Sequence, residues 1–355
     1  MSKRSLRGWT TLLLIGLGAG CGSSKQPALA APPSTSPEAA LALLTALAHD
    51  SLEGRATGEP GSAKAARIIA REMERAGLRP AGDSGYFQPL PVVIGTRKVG
   101  DREFTGPMLA ESFAARETIE RSRWRPAVNV IGMIPGSDPT LGNEHILVSA
   151  HYDHVGIRNP IDGDSIYNGA DDDASGVVAV LKTAEQIARG PRPRRTVYFA
   201  TWTGEEVGGL GARWYSDHPA RPLSEMAANL QIEMIGRPDS LAGGPGRAWL
   251  TGYERSTMGD MLAANGVPIG PDKRLSQNFF RRSDNYRFAV LGVVAHTLST
   301  FNLHSDYHRP SDEVDKIDAV HMAHVIDATV RAVRILADGE RPTWKPGGQP
   351  VPQQR

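Results

Sequence analysis

Cysteine is almost absent from this chain: Cys21 is the one thiol in 355 residues. A single thiol forms no disulfide within the chain, and no thiolate cluster can hold a metal. Charge of one sign is also missing. Forty Lys and Arg stand against 39 Asp and Glu, a net charge of +1 with no long basic run. That balance excludes a nucleic-acid binder working through phosphate contacts. The apolar run over residues 9–18 is too short to cross a bilayer, which takes about 20 residues as a helix. There is no His-Glu-x-x-His, no Gly-x-Ser-x-Gly and no glycine-rich phosphate loop. With 40% hydrophobic and 22% charged residues, the composition is that of an ordinary globular enzyme. A chain this long buries about 75% of its unfolded surface and needs no staples.

The first residues carry a targeting pattern. Lys3, Arg4 and Arg7 precede the short apolar run, and Gly18, Ala19 and Gly20 lead into Cys21. This is similar to a bacterial lipoprotein signal, in which the cysteine becomes the acylated first residue. The alternative is an ordinary secretory signal cut near Ala30-Ala31. Gly22-Ser23-Ser24 and the Ala/Pro/Ser-rich stretch after it read as a flexible tether. The expected organisation is a signal over 1–21, a tether over 22–36, a folded domain over 37–338 and a disordered tail over 339–355. Acylated at Cys21, the chain would sit in a bacterial cell envelope facing the periplasm or exterior. It would touch the membrane through that anchor only.

Ser36-Pro37-Glu38 reads as an N-cap, a first-turn proline and a dipole-favoured acid opening a helix. A second helix is expected over 61–76, with Gly77 as its stop. Apolar runs over 128–134, 146–150, 197–202, 230–235 and 293–298 read as strands. Helical patterns over 175–188, 210–216 and 317–337 alternate with them. That alternation predicts an α/β fold, a mostly parallel central sheet with helices on both faces.

Acids and histidines recur just past the strand ends. One strand ends in His151-Tyr152-Asp153-His154, and the run Asp171-Asp172-Asp173 precedes a helix. Glu205-Glu206 follows the next strand, Glu233 lies inside an apolar strand, and Asp306-Tyr307-His308 follows the last one. Singly, each has a plainer reading as a surface pair, an acidic cap or a helix start. In an open parallel sheet, however, the carboxyl ends of the strands face one crevice. So many carboxylates brought together repel and lose solvation unless cations neutralise them. Two histidines and three or more carboxylates suit a pair of zinc ions.

In that order, these motifs resemble the di-zinc aminopeptidase family that includes bacterial leucyl aminopeptidases and is related to glutamate carboxypeptidase II. The likeness extends to Leu52-Glu53-Gly54-Arg55-Ala56-Thr57-Gly58 and Ala76-Gly77-Leu78-Arg79-Pro80. It implies a metallo-exopeptidase acting on peptides with two Zn2+ ions, most simply an aminopeptidase. A dipeptidase or carboxypeptidase on the same metals, or a non-catalytic binding protein, are the alternatives. By the resemblance, His151 and Glu233 hold one ion, Glu206 and His308 the other, and Asp171 bridges both. Glu205 is then the general base and Asp153 orients the His151 ring. Asp172 supports the bridge through an unusual peptide bond, and His304 is a supporting partner. Tyr286 donates to the tetrahedral intermediate, and Arg281 and Arg282 could bind a substrate carboxylate. The family more often has Asp where this chain has Glu233. His154 and the remaining histidines have no motif support as ligands.

Overall fold

Residues 146–150 and 197–202 are apolar apart from Ser149 and Thr201, with no polar alternation, so both faces of their strands must be covered. The computed structural model describes residues 34–100 and 102–351, together with Met1. Cys21 and the signal lie outside the described residues. Nine strands carry the argument: β1 Phe87–Val99, β2 Arg102–Leu109, β3 Trp124–Ile134, β4 His145–His151, β5 Thr196–Trp202, β6 Met226–Glu233, β7 Ala248–Leu250, β8 Ile269–Pro271 and β9 Ala295–Ser299. They lie in the order β8-β7-β9-β6-β4-β5-β3-β1-β2, and the two-residue strand Arg79–Pro80 pairs with β3. The neighbours β9, β6, β4 and β5 are all parallel. Beyond β5 the pairing turns antiparallel through β3, β1 and β2, and β7 also runs against β9. The sheet is therefore parallel at its centre and mixed at its edges.

Alternating side chains divide the core into two layers. Ile146, Val148, Val197 and Phe199 pack on the side of helices α1 Pro37–Leu47, α2 Pro60–Arg75, α3 Gly176–Arg189 and α4 Ala319–Asp338. Leu147, Tyr198, Ala200 and Trp202 face the other way, against Tyr215, Phe280 and Phe288. Helix α1 begins as its sequence predicts, with the Ser36 hydroxyl accepting from the Ala39 amide at 3.1 Å. The segment 92–125 forms the outer β1–β2 hairpin and its return to β3.

Arg55 ties the frame of the candidate site together. Its side chain is buried and donates to the carbonyls of Leu47, Tyr152, Asn168 and Gly169 at 2.6–2.9 Å. A buried carbonyl left without its donor costs about 1–3 kcal/mol, so this one guanidinium outweighs many surface contacts. The turn that delivers it needs Gly54, whose φ is +64°. A Cβ there would lie 2.4 Å from the Tyr167 carbonyl oxygen and 2.8 Å from the Gly156 Cα.

The expected disordered tail is not found over residues 340–351. The Trp344 indole donates to the Gly292 carbonyl at 3.0 Å and its ring packs 5.5 Å from His296. Arg341 donates to the Met226 carbonyl at 2.9 Å. One large aromatic side chain with a core face to cover orders a segment whose Pro/Gly/Gln content reads as disorder.

Candidate metal centre

Strands β9, β6, β4 and β5 are parallel neighbours, so their carboxyl ends share one edge of the sheet. His151 is the last residue of β4 and Glu233 the last of β6. Glu205 and Glu206 follow β5 after Thr203-Gly204, and His308 lies in the loop after β9. Asp171, Asp172 and Asp173 occupy the bend before α3, with a cis peptide bond between Asp172 and Asp173. Chain direction thus collects residues spread over more than 150 positions.

Asp172 stands at the middle. One of its oxygens is 3.2 Å from His151 Nε2, and the other is 3.1 Å from His308 Nε2. His308 Nε2 is also 3.1 Å from Glu206, yet it aligns as a hydrogen bond with neither carboxylate. His151 Nε2 lies 4.0 Å from Glu233. The other His151 nitrogen, Nδ1, is 3.1 Å from the Asp153 carbonyl oxygen, which leaves Nε2 to face the carboxylates. The Asp153 carboxylate accepts from the Thr57 hydroxyl and from the Glu205 amide, at 3.0 and 3.1 Å. It therefore links the His151 loop to the Glu205 loop.

Burial and charge pull these groups apart. Burial pushes the carboxyls of Glu205 and Asp173 well above the ordinary range and lifts Glu233 to about 7. Burial acts on Asp172 too, but the imidazoles of His151 and His308 outweigh it and hold that carboxyl well below the range. Burial lowers His308, whereas Asp172 and Glu206 lift it to about 10. The neighbouring carboxylates favour the charged form of His151 and His308. A divalent cation neutralises such carboxylates, and imidazole nitrogens with carboxylate oxygens suit zinc. Donor atoms of His154, Asp172, Glu206 and His308 all lie within 4.8 Å of one another. The residues fit a metal.

Two expectations need correction. Asp171 does not stand between the histidines; Asp172 does. The Asp171 carboxylate accepts from the Gly236 amide at 2.7 Å and from Ser175, and it faces His304 Nε2 at 3.1 Å. His304 accordingly supports Asp171 rather than the centre. The second correction is His154, which joins the cluster although the sequence offers it no role. Its Nδ1 is 2.8 Å from Glu206.

Two further residues receive no role from the sequence. The Asp173 carboxylate accepts from the Gly176 and Met234 amides at 3.0 and 2.9 Å, fixing the chain just past Glu233. Asp312 accepts from the Asp171 and Asp172 amides and from Arg237, which sets the bend. Only the position of Asp312 four residues past His308 could have drawn attention to it.

Two cavities meet at Glu205. A small one of about 50 Å³ is lined by Glu233, Trp249, Phe279, Phe301 and Tyr307. An open cleft of about 560 Å³ is lined by Arg281, Arg282, Asp284 and Tyr286. The Tyr286 hydroxyl accepts from Arg281 Nε at 3.1 Å, and the Ser283 hydroxyl donates to Glu233.

The model of peptidase family M28 matches residues 129–333, which include every cluster residue. Leupeptin-inactivating enzyme 1 of Streptomyces exfoliatus is 28% identical over 165 residues, 46% of this chain and 32% of that protein. A protein of Mycobacterium tuberculosis named probable lipoprotein aminopeptidase is 29% identical over 216 residues, 58% of this chain and 37% of its own length. The match thus spans about a third of either relative. Among solved structures, a zinc aminopeptidase from Bacillus subtilis superposes with a TM-score of 0.62 at 14% identity, covering 86% of this chain and 95% of that one.

Proposed function

This chain belongs to peptidase family M28, and from that premise we propose that it is a metallo-exopeptidase, an aminopeptidase using two zinc ions. The observation that carries the proposal is Asp172, whose two oxygens face histidines from two different loops beside the half-buried Glu205.

In this reading His151 and Glu233 would hold one ion, Glu206 and His308 the other, and Asp172 would serve both. Bound there, the ions supply Lewis acidity toward a carbonyl oxygen and make water a stronger acid. Glu205 is the general base: it takes the proton of the attacking water and returns it to the leaving amine. Asp153 fixes the Glu205 backbone and presents its carbonyl to His151, so base and ligand keep one registry. The aromatic-lined cavity takes the side chain of the N-terminal residue. Arg281 and Arg282 in the adjoining cleft favour one second reading, a dipeptidase that holds a free C-terminal carboxylate.

A panel of aminoacyl amides, N-blocked amides, N-blocked dipeptides with free C-termini and free dipeptides tests both readings. The metal-loaded full chain should cleave substrates with a free N-terminus, and chelator should reduce the rate to background. Cleavage confined to N-blocked substrates with free C-termini would make the chain a carboxypeptidase instead. No cleavage of any member would sink the enzymatic reading. The anchor at Cys21 also stands as a proposal, supported by the pattern before that residue and by the lipoprotein name of the mycobacterial relative.

A further inference from the structure

The two halves of the cluster differ in how many donors the protein supplies. Around Asp172 and His151, the third donor is Glu233. Around Asp172 and His308, Glu206 is joined by His154. The His154 side chain has no exposed surface. Its Nδ1 lies 2.8 Å from one Glu206 oxygen and 3.7 Å from an Asp172 oxygen. The other Glu206 oxygen is 3.1 Å from His308 Nε2, and the two imidazole rings meet edge to face at 5.5 Å. The remaining ring nitrogen, His154 Nε2, is buried without a hydrogen-bond partner. The hydrogen-bonding reach of this ring is therefore directed at the carboxylates. Two imidazole nitrogens and two carboxylates within 4.8 Å make a complete four-donor set for zinc.

Building on the metallopeptidase reading, we propose that His154 is a direct ligand through Nδ1, which makes the two metal positions unequal. The position formed by His154, Asp172, Glu206 and His308 has four protein donors and is closed, so it fills first and empties last. The position formed by His151, Asp172 and Glu233 has three donors and borders the aromatic cavity. It keeps coordination free for water and substrate, and it exchanges its ion readily.

The test uses the full chain, stripped with chelator and reloaded with one equivalent of Zn2+. X-ray absorption should count two imidazoles around this first ion. Competition with a chelating dye should give two dissociation constants per chain, separated by at least about tenfold. His154→Ala and His154→Gln should weaken the tighter one by more than about a hundredfold, beyond the 10–100-fold that loss of a supporting hydrogen bond costs. Their circular dichroism reports whether they have folded. The wild-type imidazole count decides the matter even if neither variant folds. A first ion with one imidazole, or a folded variant that binds it as tightly as wild type, would overturn the proposal. A chain that takes up no zinc overturns the metallopeptidase reading itself, and this inference with it.

Discussion

Replacing Glu205 with Gln should lower kcat at least about a hundredfold while metal content and KM stay near wild type. The amide keeps the shape of the side chain but cannot accept a proton. Glu205 lies in both cavities, whereas Glu206 is engaged by His154 and His308. Burial raises the Glu205 carboxyl, whereas at Glu206 burial and Asp172 are outweighed by the imidazoles of His154 and His308, which hold that carboxyl low, so the adjacent acids shift in opposite directions. A raised carboxyl is the one suited to carry a proton between water and leaving group. Glu206→Gln should instead lose the ion shared with His308. The check is to measure metal content and turnover on both variants side by side. Lost metal with near-normal turnover per loaded chain in Glu205→Gln would exchange the two roles.

Asp172→Asn should strip most metal from both positions, while Asp171→Asn should keep its ions and lose stability. Asp172 offers one oxygen to each half of the cluster, so neutralising it weakens both at once. Asp171 instead accepts from Gly236 and Ser175 and faces His304. An amide there removes a charged acceptor from a buried donor, a cost of about 1.5–3 kcal/mol. Elemental analysis separates the two, and a thermal or denaturant midpoint reports the stability change. Full occupancy in Asp172→Asn, with loss in Asp171→Asn, would return the bridge to Asp171.

The periodicity of 146–150 and 197–202 and the helices alternating with them were enough to specify a sheet covered on both faces. They also placed His151, Glu205-Glu206, Glu233 and His308 at one end of parallel strands. Hydrophobic period and chain direction are local properties, and together they settle which loops converge. They could not settle which acid of Asp171-Asp172-Asp173 points inward. Successive residues in an irregular bend project in different directions, and here the bend is set by Ser175 from within it and by Asp312 and the Gly236 amide, both distant in sequence. The fate of His154 was hidden for the same reason. Its neighbour in the cluster, Glu206, is 52 residues away, and only packing of the β4 and β5 loops brings them to 2.8 Å. Residue types and strand order are written along the chain; which of two adjacent side chains faces the metal is decided by hydrogen bonds that exist only once the loops have met.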